Sequence, residues 1–253
     1  MKKNNILITG ASGGLGRAIA LEYAAGNTLH LLGRNRRRLE ETAVLCQKNG
    51  AKTIEKIIDV ADREAMHKYL SELKIDFDLV FANAGISKGT SGSTLPGWSE
   101  DVYKIFDTNI YGVINTIIPI LPAMIKRKMG KIVIVSSMAG FRGLPSAQAY
   151  SASKACVMRY GEALNNYLKN FNVGVSVICP GFVDTPLTAL NNFYMPFLMS
   201  PEKAAKKIRR GVEKNKKFII FPKILRCAIK LADCLPFGLG DQFFSKLSKK
   251  IEI

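Results

Sequence analysis

Ser137, Tyr150 and Lys154 are the side chains whose types and spacing could do chemistry. Tyr150 follows Ser137 by thirteen residues, and Lys154 follows Tyr150 by four. The run Ala149–Leu168 reads as a helix, which puts Tyr150 and Lys154 on one face about one turn apart. A free phenol titrates near 10, and a neighbouring cation lowers that value. A phenol tuned toward neutrality can exchange a proton with a carbonyl/alcohol pair. Ser137, at the end of the apolar strand Lys131–Val135, can hydrogen-bond the same oxygen. Tyr-x3-Lys by itself is a weak pattern, because a surface Tyr beside a solvated Lys is the plainer reading. The case rests on the elements that must position these residues.

The first of those elements is a short apolar strand, Asn4–Thr9, followed at once by Gly10-Ala-Ser-Gly-Gly14-Leu-Gly16 and a helical run, Arg17–Ala25. Strand, glycine turn and helix form the context of a phosphate-binding loop. Gly10 permits the tight turn, Gly14 lets a pyrophosphate approach the backbone, and Gly16 allows close helix–strand packing. The second strand, Thr28–Leu32, ends in Gly33-Arg34-Asn-Arg36-Arg37-Arg38, with no acid before Glu40. A carboxylate at that place selects NAD, whereas arginines there can bind a 2′-phosphate. A solvated helix start is the alternative, although cations are unfavourable at a helix N-terminus.

A third strand, Thr53–Ile58, leads into Asp59-Val60. Asp59 either meets an adenine or caps the helix beginning near Asp62. A fourth, Asp78–Ala82, delivers Asn83-Ala84-Gly85, and residues 86–99 read as a loop. Ser99–Lys128 reads as a long helix that Pro119 and Pro122 should kink or break. Asn109 inside it is either a core amide bonded to backbone or a water-holding group of a site. Val173–Cys179 is a sixth strand, leading into Pro180-Gly181, and Lys217–Phe221 is a seventh. Ser200-Pro201 starts a helix between them. Seven strands alternating with helices predict one α/β domain, a doubly wound, Rossmann-like parallel sheet with helices on both faces. Ligands on such sheets bind at the carboxyl ends of the strands, where these motifs fall.

In this order and spacing the motifs resemble the short-chain dehydrogenase/reductase family over roughly residues 4–221. The family's Asn-Asn-Ala-Gly reads Ala82-Asn83-Ala84-Gly85 here. The resemblance implies an NADP(H)-linked oxidoreductase acting on a small-molecule carbonyl or secondary alcohol, with Asn109, Ser137, Tyr150 and Lys154 as its catalytic set. It makes Tyr150 the general acid/base and gives Ser137 the substrate oxygen. Lys154 bonds the nicotinamide ribose and lowers the Tyr150 pKa, and Asn109 holds a water that connects Lys154 to solvent. The nucleotide is placed against Gly10, Ser12, Gly14, Leu15, Gly16, Arg34, Asp59, Val60, Asn83, Ala84, Gly85, Pro180, Gly181, Val183 and Thr185, as well as Tyr150 and Lys154. A homodimer or homotetramer follows by the same resemblance, through the helices around Asn109 and Tyr150. A catalytically silent, NADP(H)-sensing binding protein is the competing reading. The intact Ser137/Tyr150/Lys154 set argues against it.

Composition bounds the rest. The five cysteines are odd in number with no CxxC spacing, and the histidines are only His30 and His67. These counts argue against disulfide frameworks and metal clusters, and for a reducing, cytoplasmic setting. The first residues lack the apolar core of a signal peptide, and no spanning helix is expected. The net charge of +17 suits phosphates, acidic lipids or nucleic acid, but no nucleic-acid motif accompanies it, and plain solubility explains it as well. Residues 186–199 are rich in apolar and aromatic side chains: Leu187, Leu190, Phe193, Tyr194, Met195, Phe197, Leu198 and Met199. They suit a pocket for a lipid-like ketone or a lid packed on the core. Residues 222–253 read as an amphipathic extension with an unusually wide apolar face. Phe243, Phe244, Leu247 and Ile251 stand beside Lys246, Lys249 and Lys250 in it. The extension either packs on a sister subunit or the site, or meets the inner face of a membrane.

Overall fold

The computed structural model describes residues 3–87, 100–189 and 194–233. Seven strands make one sheet: β1 Asn5–Thr9, β2 Thr28–Gly33, β3 Lys52–Ile57, β4 Leu79–Ala82, β5 Lys131–Val135, β6 Gly174–Pro180 and β7 Phe218–Phe221. Their order is β3-β2-β1-β4-β5-β6-β7, and every neighbouring pair is parallel. The helices are α1 Gly14–Glu22, α2 Arg36–Lys48, α3 Arg63–Glu72, α4 Glu100–Phe106, α5 Gly112–Ile117, α6 Leu121–Arg127, α7 Gln148–Leu168, α8 Pro201–Glu213 and α9 Lys223–Asp233.

Alternation along the strands builds two cores. Ile6, Ile8, Val133 and Val135 face one side, where Ile19 of α1, Leu39 of α2 and Ile208 of α8 cover them. Leu7, Ile132 and Ile134 face the other, with Met66 of α3, Val113 of α5, Met124 of α6 and Val157 of α7. The strand order reverses between β1 and β4, which is where a doubly wound sheet opens a ligand crevice. Thr9 fixes that point. Its hydroxyl donates to Phe81 O and accepts from the Asn83 and Ala84 N–H groups, while Asn83 Nδ2 donates to Thr9 O.

The predicted helix over Ser99–Lys128 breaks twice. Pro119 lies in the turn between α5 and α6, and Pro122 lies in the first turn of α6, as proline geometry requires. The other break was not expected. Asp107–Tyr111 forms a one-turn π-helix between α4 and α5, the kind of local widening found at functional sites. One run here, Glu100–Arg127, is long and apolar enough to cross a membrane by length and composition, contrary to the sequence expectation. Half of its apolar window lies inside the fold, with Asn109 and Thr116 fully buried.

His30 sits in the centre of β2 with its ring edge against Phe77, centroids 5.0 Å apart. It is fully buried and neither ring nitrogen has a hydrogen-bond partner. Burial, helped by Lys52, pushes its pKa from 6.5 down to about 4. The unfolded chain therefore binds more protons between those values, so stability is complete above about pH 6.5 and is lost as pH falls toward 4. At about 1.4 kcal/mol per pKa unit the full loss is on the order of 3 kcal/mol. His30→Leu is expected to be at least as stable at pH 7.5 and to lose less stability at pH 5. Urea unfolding at both pH values tests this, and an unchanged pH difference in the variant would overturn it.

Candidate active site

The carboxyl ends of the strands enclose a cavity of about 640 Å³. The glycine turn after β1 forms one end. Gly10 has φ +68°, and a Cβ there would stand 2.9 Å from Ala84 Cα. At Gly16 a Cβ would meet Gly10 O at 2.2 Å, so α1 packs this closely on the turn only with glycine in place. Gly14, at φ +52°, instead faces Thr185, 3.2 Å from where its Cβ would lie. The open side of the loop belongs to Gly13, the N-cap of α1, which provides no side-chain hydrogen bond. The first-turn N–H groups of α1 are thus left for an anion, and this set fits the pyrophosphate of a dinucleotide.

At the end of β2 the four arginines divide. Arg36 pairs with Glu40 at 3.7 Å and Arg37 with Glu41 at 3.9 Å, both along α2. Arg34 and Arg38 line the cavity with Asn35, whose side chain caps α2 by accepting from Arg38 N–H. Arg34 also pairs with Asp59 at 3.3 Å. Of the two readings of Asp59, helix capping fails. Asp62 caps α3 by accepting from Ala65 N–H, and Asp59 holds Ala61 N–H at the cavity wall.

At the other end, β5 delivers Ser136 and Ser137. Ser137 caps the short 3-10 turn Met138–Gly140, and its hydroxyl is near enough to the Tyr150 phenol to pull that group's pKa down. Lys154 is buried, donates to Val135 O at 3.0 Å, and has its ammonium over the Tyr150 ring, 5.6 Å from the centroid. Ser136 Oγ donates to Lys154 O, holding that turn of α7 to β5. Asn109 is fully buried in the π turn. Its Oδ1 accepts from Ile86 N–H at 2.8 Å, and its Nδ2 donates to Ile86 O and Ser153 Oγ, both at 3.0 Å. Its side chain is therefore spent on backbone and Ser153.

One electrostatic expectation is corrected. The Tyr150 pKa is not lowered by Lys154. Burial raises it, opposed by the nearby Ser137 hydroxyl, while burial lowers Lys154 to about 8. The ammonium sits over the ring face, 5.6 Å from its centroid, and donates to Val135 O.

Of the catalytic and nucleotide-binding residues named from the sequence, all line the cavity except Asn109, which is bonded to Ile86. Sequence reasoning passed over Gly13, Asn35, Ile86, Ser153 and Thr188, and named Arg38 only as part of a cluster. Thr188 is buried in the cavity lining, accepts from Thr185 N–H and donates to Val183 O. Of the apolar segment, Leu187 lines the cavity, Tyr194, Phe197 and Leu198 are exposed, and Met199 bridges to Val183. Leu190 and Phe193 lie outside the described residues. So does the second basic segment, Phe243 to Ile251. The first half of the extension is α9. Its Ile229 and Ala232 are buried against Met138 and Cys179 and its Leu225 packs there, while Ile224 and Leu231 remain exposed.

The family model for short chain dehydrogenases matches residues 4–193. The chain belongs to the short-chain dehydrogenase family. It is an oxidoreductase of that family, with a nucleotide-binding Rossmann-like sheet and a small-molecule substrate. This dehydrogenase is 40% identical to an uncharacterized oxidoreductase of Myxococcus xanthus, the match covering 95% of this chain and 96% of the relative. It is 31% identical to 17-beta-hydroxysteroid dehydrogenase 13 of Mus musculus, over 89% and 76% of the two chains. A solved short chain dehydrogenase/reductase of Burkholderia phymatum, in complex with NAD, has the same fold. Its TM-score is 0.82 at 23% identity, covering 100% of this chain and 98% of that one.

Proposed function

We propose that this dehydrogenase reduces the carbonyl of an apolar, lipid-like substrate with NADPH. The observation that carries the reading is the Tyr150 phenol, with Ser137 and Lys154 beside it on the wall of the cavity that the glycine turn opens. The reduced nicotinamide, when bound, supplies the hydride. Everything else is the work of this chain. Tyr150 keeps its proton at neutral pH, because burial raises its pKa, and delivers it to the substrate oxygen. Ser137 holds that oxygen. Lys154, charged below about pH 8, sits beside Gly85 at the place of the nicotinamide ribose. Asn109 anchors Ile86 and, through Ser153, the first turn of α7, so it sets the position of Tyr150. Pro180, Gly181 and Thr185 line the nicotinamide end of the cavity.

NADPH is supported by Arg34 and Arg38 at the end of β2 and by the absence of an acid there. The apolar substrate is supported by Leu187 in the lining and by the exposed Tyr194, Phe197 and Leu198. The steroid dehydrogenase relative agrees with that class. A panel of steroid, aliphatic and aromatic ketones, followed by loss of the NADPH absorbance band, tests the reading. Turnover is expected with apolar ketones. Turnover only with short polar carbonyls would overturn the substrate class.

A further inference from the structure

Arg226 of α9 is a half-buried charge with nothing to hold. Its guanidinium lies over the Phe141 ring, 4.0 Å from the centroid, and Nη1 is shut off from solvent with no hydrogen-bond partner. Among the described residues it forms no ion pair, whereas Lys223 and Lys230 on the same helix are exposed. A guanidinium is charged at every physiological pH and carries five donors in a fixed fork. A stack on one ring face meets none of them, and Nη1, buried without a partner, carries a desolvation cost that the stack does not remove. Such a group needs an acceptor, and a carboxylate matches its fork in two parallel bonds.

Arg226 does not line the cavity itself, but two neighbours tie it to the segments that carry the reacting groups. Phe141 directly follows the Met138–Gly140 turn that Ser137 caps. Cys179, next to Pro180-Gly181, has its thiol pushed up to about 12 by burial, against the smaller pull of Ser136 and of the Arg226 and Lys154 charges. The adjoining Leu225 comes within 3.6 Å of where a Gly181 Cβ would lie, and Leu225 and Ile229 pack with Met138 as an apolar wall. Arg34 and the glycine turn belong to β2 and β1, while α9 packs on β7 at the opposite edge of the sheet. An anion at Arg226 is therefore not the cofactor's phosphate.

We propose that Arg226 receives a carboxylate on the substrate, remote from the carbonyl, so that the preferred substrates are apolar oxo acids. This rests on the carbonyl reduction proposed above. The test compares an oxo acid of medium chain length with its methyl ester, using saturating NADPH, in the unaltered protein, Arg226→Met and Arg226→Lys. The unaltered protein is expected to favour the acid in kcat/KM by about tenfold or more, a charge-assisted pair's worth. Arg226→Met should erase that ratio, chiefly through KM, and Arg226→Lys should keep part of it. Equal kcat/KM for acid and ester in the unaltered protein would overturn the proposal. So would a parallel fall for both in Arg226→Met, the mark of a structural role. Calorimetric binding of the oxo acid to NADPH-loaded protein separates the two readings. Arg226-dependent binding with no turnover of either compound would uphold the carboxylate site and sink the reduction. Turnover of the ester with no preference for the acid would do the reverse.

Discussion

Tyr150→Phe is expected to lower the rate of carbonyl reduction by about 10²–10⁴-fold, the range of a positioned general acid, while NADPH binding stays nearly unchanged. The substitution removes one hydroxyl, the proton donor beside Ser137. The ring remains under the Lys154 ammonium, so the cavity wall keeps its shape. A variant that kept more than about a third of the original kcat would leave the phenol without the role assigned to it. The same site predicts a pH profile. Burial raises Tyr150 and lowers Lys154 to about 8, so Lys154 is the group that titrates in the working range. It is charged below about pH 8 and neutral above. For reduction, kcat/KM should be level at lower pH and fall as pH rises through about 8. A profile that rises through the same range would contradict the arrangement.

NADPH is expected to bind roughly ten- to a hundredfold more tightly than NADH, and Arg34→Ala should remove most of the difference. Arg34 is at present paired with Asp59, and the two side chains are 58% and 39% exposed. An exposed pair of this kind contributes about 0–1 kcal/mol. A charge-assisted bond to a phosphate contributes about 1.5–3 kcal/mol. The phosphate therefore wins, and Asp59 does not block it. Arg38, on the same wall, should take a smaller share. Titration calorimetry with both cofactors decides the point. Equal dissociation constants in the unaltered protein would refute it.

The rim of the site was legible because its residues follow strands whose apolar runs are easy to see. Gly10, Arg34, Asp59, Asn83, Ser137 and Pro180 all stand just after a strand or at its last residue. Once the strands are parallel, these residues must meet at one edge. What escaped depends on contacts between distant segments. The π turn at Asn109 arises where a run from α4 to α5 packs on α7, and local periodicity carries no sign of it. Tyr150 and Lys154 share a face as their spacing dictates. Their spacing does not show that burial outweighs the attraction of cation for phenolate. By spacing alone Arg226 falls with Lys223 and Lys230 on one polar stripe of α9. Only the packing of α9 against Phe141 and Cys179 turns it inward.

The central claim is that hydride passes between the nucleotide and a carbonyl carbon held against Tyr150. NADPH carrying deuterium at the transferred position of the nicotinamide tests it most directly, with mass spectrometry of the alcohol formed from an apolar ketone. The account predicts one deuterium, on the carbinol carbon, and at least about a hundredfold less labelled alcohol when Tyr150→Phe replaces the unaltered protein over the same time. An alcohol that carries no deuterium, or that gains it only from deuterated solvent, would contradict it.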